Sequence, residues 1–191
     1  GKTESVKALG CLLGRQVMVF NCDEGLDVES MERIFTGIVK CGSWVCFDEF
    51  NRLDSVVLAA VSQQIQEIQS VLVSSSEGDV LLMNNRVPVH PNSAIFVTLN
   101  PVGRAYKGRQ KIPFNLKVLF RPIAMSVPDK LEISETLLFA NGFMQSKLEN
   151  NVELAESVCR LFDYCMKLVG RRKHYDWSLR SLKPVLESAG N

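Results

Sequence analysis

A short apolar run that leads directly into two acidic residues constrains this chain more than any other feature. Residues 44–47 have the length and composition of a strand buried on both faces of a parallel sheet, and Asp48 and Glu49 follow them. Ligands of open α/β sheets bind at the carboxyl ends of such strands. Two carboxylates are costly to bury there unless a cation compensates them. The stretch therefore predicts an α/β fold with a cation-dependent ligand site beside Asp48 and Glu49.

The first three residues indicate which ligand that site would bind. Gly1, Lys2 and Thr3 match the end of a phosphate-binding loop, and a helical pattern begins directly after them. Amides at the helix N-terminus and the Lys2 ammonium would bind phosphates, and the Thr3 hydroxyl would bind Mg²⁺. An ordinary exposed helix start is the alternative, because such a triplet is common by chance. A complete loop also needs a strand and more loop residues before Gly1, so we expect the sequence to begin inside the loop.

Composition excludes several other classes of protein. The chain has 191 residues, is 46% hydrophobic and 23% charged, and carries a formal charge of +1, which is typical of a globular protein and argues against a nucleic-acid-binding surface. No apolar run reaches the roughly 18 residues that a membrane span needs. The 6 cysteines form no CxxC pair and only 2 histidines are present, so free thiols in a reducing compartment are expected and a zinc site is not.

Helical and strand patterns alternate over the first two thirds of the chain and give way to helices alone. The predicted strands span residues 17–20, 44–47, 94–99 and 122–125, with a small hairpin at 81–89 that turns near Asn84 and Asn85. The predicted helices span residues 2–13, 27–39, 54–72, 115–120, 130–140, 152–169 and 175–187. This order indicates βαβ units with a parallel sheet flanked by helices in residues 1–126, and a small helical lobe in residues 127–191.

Three polar residues outside these motifs are candidates for the site. Asn100 follows a buried strand, where its amide could bind the γ-phosphate or the attacking water, although Asn-Pro often only starts a turn. Arg121 and Arg180 are each more often surface cations when considered alone. Both are named because phosphoryl transfer is accelerated by an arginine supplied in cis or by a neighbour.

Other patterned side chains are assigned structural roles. One apolar stripe is predicted on the first helix: Val6, Leu9, Leu12 and Leu13. One solvated polar face is predicted on the helix after Asp54: Gln63, Gln64, Gln66 and Gln69. Neither His90 nor His174 has a neighbour that suggests catalysis.

Several longer motifs together resemble one protein family. They lie at residues 20–24, 46–52, 60–64, 115–121 and 174–180. They are similar to the first AAA+ module of dynein heavy chains, and the similarity covers essentially the whole chain. Residues 108–111 and 120–125 are most similar to the cytoplasmic dyneins of intraflagellar transport, with an axonemal heavy chain as the alternative.

The resemblance implies how the nucleotide would be bound. It implies a P-loop AAA+ module in which Gly1, Lys2 and Thr3 end the Walker A loop, with the preceding strand and half-loop absent. Asp48 is then the Walker B residue that, with Thr3, holds Mg²⁺ on ATP. We expect little ATP affinity and no activity from such a chain by itself.

The resemblance also implies which residues would act on the bound nucleotide. Glu49 would activate water, Asn100 would be the sensor I residue, and Arg180 the sensor II residue of the small lobe. Arg121 matches the arginine finger, which would point at the site of a neighbouring module.

The implied function is that of a minus-end-directed microtubule motor in which ATP hydrolysis drives movement. Its partners would be the neighbouring AAA+ modules, the linker, intermediate and light chains, and a microtubule bound through a distant stalk, without nucleic acid or a membrane span. The implied location is the cytoplasm, the cytoskeleton and the cilium or axoneme. Two other classes are considered: a structural AAA+ ring module that binds nucleotide without turnover, and a GTPase, which would need a guanine-reading Asn/Thr-Lys-x-Asp motif that the sequence lacks.

Overall fold

The computed structural model describes residues 1–74, 78–100, 109–126, 128–143, 148–170 and 175–190. The chain divides into two compact units, Gly1–Ala124 and Met125–Asn191. Each unit has a hydrophobic cluster of its own. Residues 171–173 and His174 lie outside the described residues. Most of the segment 102–113 does so as well.

The first unit is an α/β fold built on a three-stranded parallel sheet. Its elements are α1 (Lys2–Leu12), β1 (Val17–Asn21), α2 (Val28–Cys41), β2 (Trp44–Asp48), α3 (Ser55–Val73), β3 (Asp79–Leu82), β4 (Asn85–Pro88), β5 (Ala94–Val97) and α4 (Phe114–Leu119). The strand order is β1-β2-β5, so the run that leads into Asp48 and Glu49 forms the central strand. Asn21 pairs with Asp48 and Val97 pairs with Phe47. The predicted α/β class and parallel sheet are confirmed.

The core of this unit gathers around the aromatic ring that precedes the two acids. Phe47 is fully buried, and its ring centroid lies 5.6 Å from Phe35, 5.9 Å from Phe50 and 6.0 Å from Phe20. These residues come from α2, β1, β2 and the single 3-10 turn Phe50–Arg52. Tilted and edge-on aromatic packing of this kind adds to the free energy gained by burying the rings. Asp48 and Glu49 thus directly follow a fully buried aromatic residue of the core.

Helix α2 begins and ends through local capping. The Asp27 carboxylate accepts a hydrogen bond from the Ser30 N–H at 2.9 Å, which satisfies one of the free amides of the first turn. Gly42 closes the helix with φ of 66°, in the left-handed region that favours glycine. A Cβ there would lie 2.3 Å from Nδ1 of His90, so His90 packs against the helix end. His90 therefore has a structural position.

Helix α3 is long and apolar enough to suit a membrane span by length and composition. In this unit it is a core helix, because several of its apolar side chains belong to the buried cluster. They are Val57, Leu58, Val61, Ile65 and Ile68. The Asp54 carboxylate caps its first turn by accepting from the Ser55 N–H, as the sequence predicts.

The predicted solvated glutamine face of α3 is wrong in part. Gln63 and Gln66 are exposed, but Gln64 is buried and donates to Oε1 of Glu32 at 2.7 Å. Gln69 is half-buried and donates to the Leu119 carbonyl at 3.0 Å. The helix is flanked on two sides by polar partners from α2 and α4, which periodicity alone could not reveal.

Other differences from the predicted elements are local. The apolar stripe of α1 is largely exposed, with Leu12 84% accessible, and the buried residue of that helix is Gly10. Gly10 lets the helix approach β1, because a Cβ there would lie 2.2 Å from Cγ2 of Val17. Residues 122–125 form no strand. The hairpin turns at Met83 and Asn84, both at positive φ, one residue earlier than predicted.

The second unit is helical in its described residues. It contains α5 (Lys130–Ala140), α6 (Leu148–Val169) and α7 (Leu179–Gly190). Its buried residues are Leu138, Ala155, Phe162, Leu182 and Leu186. Helix α7 starts four residues later than predicted. The reason is a turn in which Asp176 accepts from the Ser178 N–H, and the Ser178 hydroxyl then accepts from the Arg180 N–H.

Candidate functional site

The candidate site lies at the carboxyl ends of β2 and β5, which are adjacent in the sheet. Asp48 ends β2, and Thr98 follows β5. The Thr98 N–H donates to the Phe47 carbonyl at 2.9 Å, and the Thr98 carbonyl accepts from the Phe50 N–H at 3.0 Å. Parallel pairing therefore continues past the last strand residue and brings the polar side chains that follow each strand to one edge.

The backbone at Glu49 turns sharply away from the strand. Its φ of 54° and ψ of 38° lie in the left-handed region, which is uncommon for a residue with a side chain. The Glu49 N–H is held by Thr98 Oγ1 at 3.1 Å and by Asp48 Oδ1 at 3.2 Å. This turn separates the two consecutive acids, so that Asp48 and Glu49 have different partners.

Asp48 is set among hydroxyl groups. The Thr98 hydroxyl donates to Asp48 Oδ1, and the Thr3 hydroxyl is near enough to this carboxylate to lower its pKa. Partial burial raises the pKa of Asp48, but the hydrogen bonds from Thr98 and Thr3, the Glu49 N–H and the nearby Lys2 charge outweigh it and hold the pKa below its usual value. Asp48 is thus kept ionised beside the first turn of α1.

The Asn100 amide joins the start of α1 to the second acid. Lys2 Nζ donates to Asn100 Oδ1 at 2.7 Å, and Asn100 Nδ2 donates to Glu49 Oε1 at 3.0 Å. The Asn100 carbonyl is held in turn by Asn51 Nδ2 at 3.0 Å. A continuous chain of contacts therefore links three of the residues singled out in the sequence, across 98 positions.

Two arginines that the sequence did not identify as site residues contact Glu49. Arg52 Nε lies 2.8 Å from Glu49 Oε2, and Arg109 Nη2 lies 3.3 Å from Glu49 Oε1. The Arg109 side chain is only 8% exposed. Arg52 could have been suspected because it lies three residues after Glu49 in a single helical turn. No spacing rule links Arg109 to Glu49, because their contact depends on the path of the chain after β5.

The residues around Asp48 suit a magnesium ion. Mg²⁺ prefers a few hard oxygen ligands together with waters and substrate phosphates. The Thr3 hydroxyl and the Asp48 carboxylate supply two such oxygens close to each other. Among the described residues no group of three or more His, Cys, Asp and Glu could hold a metal ion alone. The donor set therefore fits an ion that is held partly by its nucleotide.

The remaining predicted residues lie outside this cluster. Gly1 is the exposed N-cap of α1, and its carbonyl accepts from the Ser5 N–H at 2.9 Å. Arg121 is exposed just after α4. Arg180 is exposed in the first turn of α7 in the second unit, where its charge helps to hold the pKa of Asp176 low behind the larger effect of Ser178 hydrogen bonding.

Two buried thiols lie near the acids. Burial, with the Asp48 charge, raises the pKa of Cys22 to about 12 and that of Cys46 to about 11. Both thiols stay protonated at neutral pH, so neither is a nucleophile. All six cysteines are free, but only these two are buried.

The fold and the site together define a class. The parallel sheet brings the N-terminus of the first helix, which carries a lysine, beside two carboxylates at a strand end. This arrangement defines a nucleotide-binding module of the P-loop type.

Comparison with known proteins gives the family. The family model described as the hydrolytic ATP binding site of the dynein motor region matches residues 1–191. The chain is 55% identical over 191 residues to cytoplasmic dynein 2 heavy chain 1 of Tripneustes gratilla and 56% identical over 191 residues to that of Rattus norvegicus. It is 48% identical over 190 residues to the cytoplasmic dynein heavy chain of Dictyostelium discoideum. Each match covers 100% of this chain and 4% of the relative. The chain therefore belongs to the dynein heavy chain family, as its hydrolytic ATP-binding domain of the motor region.

Proposed function

We propose that this chain is the ATP-binding and ATP-hydrolysing module of a dynein microtubule motor, which couples Mg·ATP hydrolysis to minus-end-directed movement. The observation that carries the proposal is the continuous contact from Lys2 through Asn100 to Glu49. A phosphate-binding lysine, a sensor amide and a water-activating carboxylate that touch one another can respond together to a γ-phosphate.

Each residue of the site has a proposed task. Lys2 and the first-turn amides that follow Gly1 bind phosphate oxygens, and Thr3 and Asp48 hold Mg²⁺. When bound, the ion neutralises charge on the phosphates. Glu49 orients the attacking water and accepts its proton, and Asn100 positions that water or the γ-phosphate.

Further roles rest on the resemblance to the family. Arg180 would act as sensor II, and Arg121 would point at the site of a neighbouring AAA+ module. The other partners would be the linker, the intermediate and light chains, and a microtubule contacted through a distant stalk. The relatives named as cytoplasmic dynein 2 support a place in the cytoplasm and its cytoskeleton and in the cilium, with intraflagellar transport as the task.

A structural ring module that binds nucleotide without turnover is the second candidate. One observation favours it: both carboxylate oxygens of Glu49 already accept from Asn100, Arg109 or Arg52. An acid engaged in this way has fewer free lone pairs with which to accept a proton from water. Turnover in a heavy-chain motor that contains this sequence separates the two candidates.

The test is Glu49→Gln in such a motor. Glutamine keeps the shape and an acceptor oxygen but cannot accept the proton, so we expect ATP binding to be retained and hydrolysis to fall by at least about 100-fold. Binding is measured with a fluorescent nucleotide and hydrolysis by single-turnover kinetics.

A matched control is Glu67→Gln. Glu67 is a half-buried residue of α3 whose carboxylate accepts from Gln63 Nε2 at 3.1 Å. Unchanged turnover in Glu49→Gln would refute the role of Glu49, and a wild-type motor that binds ATP at this module without hydrolysing it there would favour the structural candidate.

A further inference from the structure

Thr98 is a buried residue at the junction of the two acids. It is 4% exposed and lies directly after β5, beside the end of β2. Its backbone is committed to the sheet edge through Phe47 and Phe50. The side-chain hydroxyl therefore starts from a fixed position.

The direction of both hydroxyl contacts is set by chemistry. A hydroxyl carries one proton to donate and can also accept. The Glu49 N–H can only donate, so Thr98 Oγ1 accepts from it at 3.1 Å. The ionised Asp48 carboxylate can only accept, so the single hydroxyl proton goes to Asp48 Oδ1.

One hydroxyl thus controls both acids in different ways. The bond to Asp48 limits the rotation of this carboxylate, which also accepts from the Glu49 N–H. The bond from the Glu49 N–H supports the left-handed backbone at φ of 54°, which is unfavourable for a residue with a Cβ. That backbone directs the Glu49 side chain to Asn100, away from Asp48.

A purely structural hydroxyl would bond differently. The Thr36 hydroxyl, for example, donates to the Glu32 carbonyl one turn earlier in its own helix at 2.8 Å. Such a bond serves only its own backbone. Thr98 instead bonds to the two residues proposed to hold the metal and activate water.

We infer that Thr98 is a positioning residue that orients Asp48 toward Mg²⁺ and sets the backbone of Glu49. The inference rests on the proposed function. Groups that orient metal ligands in this way affect metal affinity or activity by about 10- to 100-fold when they are removed. The loss should therefore appear in the dependence of nucleotide binding on Mg²⁺, before any hydrolysis occurs.

The test compares Thr98→Val and Thr98→Ser in a heavy-chain motor that contains this sequence. Valine keeps the shape and removes the hydroxyl, whereas serine keeps the hydroxyl. The affinity of a fluorescent ATP analogue is measured with Mg²⁺ and with EDTA. We expect Thr98→Val to reduce the Mg²⁺-dependent gain in affinity by at least about 10-fold. Thr98→Ser should retain most of this gain, and the remote control Thr36→Val should retain all of it.

Each other outcome has a defined meaning. The inference is overturned if Thr98→Val leaves the Mg²⁺-dependent gain in affinity unchanged. It is also overturned if the variant loses the same affinity with and without Mg²⁺, because that result would show an effect on packing in general. If thermal melting shows that the valine variant is unfolded, the Mg²⁺-dependent gain in affinity is compared between Thr98→Ala, which lacks the hydroxyl, and Thr98→Ser, which keeps it. Absence of turnover in the wild type would refute only the proposed function, because the binding ratio still decides the role of Thr98.

Discussion

At the scale of single residues, Glu49 is notable for how completely its carboxylate is paired. Burying a charge is costly unless hydrogen bonds and opposite charges compensate it. Glu49 is compensated by one amide, from Asn100, and by two guanidinium groups, from Arg52 and Arg109. The partners come from three separate segments of the chain. The position of this side chain is therefore a property of the folded unit and not of its local sequence.

A prediction at this scale concerns Asp27. Its hydrogen bonds from Ser30 lower the pKa of the carboxyl, so the ionised form stabilises the folded state. A lowered folded pKa contributes stability that is present above the unfolded pKa and is lost as the pH falls through the folded value. Asp27→Asn keeps a capping oxygen that does not titrate. We expect the difference in unfolding free energy between wild type and variant to be constant from pH 5 to pH 7 and to shrink below about pH 4.

Chemical denaturation at several pH values checks this prediction. The control is Asp79→Asn, the same change at an exposed carboxylate at the start of β3. A difference between wild type and Asp27→Asn that stays constant down to pH 2 would contradict the role of the carboxylate.

At the scale of elements, the helices of the first unit are fixed by close approach and by polar contacts rather than by apolar stripes alone. Gly10 allows α1 to lie against Val17 of β1, although the apolar side chains of α1 remain largely exposed. The buried Ser62 of α3 accepts from Asn115 Nδ2 at 2.9 Å and so ties α4 to α3. The first contact fixes α1, which begins with Lys2, and the second fixes α4, which precedes Arg121.

Two helical glycines give a matched prediction. A Cβ at Gly10 would lie 2.2 Å from Val17 Cγ2 and 3.0 Å from the Arg15 carbonyl oxygen, whereas a Cβ at Gly37 in α2 would meet nothing within 4 Å. Alanine is the better helix former at either position. We therefore expect Gly37→Ala to stabilise the chain by about 0.5–1 kcal/mol and Gly10→Ala to destabilise it by about 1–3 kcal/mol.

Urea unfolding of the two variants measures both changes in the free energy of unfolding, one expected to be positive and the other negative. Because the substitution is the same, the general gain in helix propensity cancels in the comparison. Stabilisation by Gly10→Ala would mean that α1 does not pack against β1 as described.

At the scale of the whole molecule, part of the site follows an edge strand of the first unit. Among the described residues β5 is an edge strand, and its four residues are only half-buried. Thr98 and Asn100 follow this strand, so two groups of the site are carried by the edge of the sheet. An unpaired edge in a sheet of three strands is weakly held.

This position predicts weak binding by the chain alone. Part of the binding free energy of the nucleotide would be used to order β5 and the first turn of α1. This cost lowers the affinity. We expect titration calorimetry on the isolated chain to show little or no binding of Mg·ATP. A heavy-chain motor that contains the same sequence should bind it tightly, and Lys2→Ala in that motor should abolish binding at this module. Micromolar binding by the isolated chain would contradict this view.

The amino-acid sequence by itself determined the local features of this protein. The apolar run before Asp48 predicted a buried strand, the patterns that begin at Asp27 and at Asp54 or Ser55 predicted two helices, and the order of elements indicated a parallel sheet. These features depend on neighbours within a few residues, so periodicity and capping rules are sufficient to predict them. The family motifs were also visible as sequence.

The tertiary structure alone decided how the site is connected. The Thr98 hydroxyl reaches both acids because β2 pairs with β5. The contact of Asn100 with Lys2 also depends on the position of α1, and that of Arg109 with Glu49 on the path of the chain after β5. The burial of Gln64 and the exposed stripe of α1 were likewise set by what packs nearby. The physical reason is that contacts between residues 30 to 98 positions apart depend on strand order and register, which no local pattern encodes.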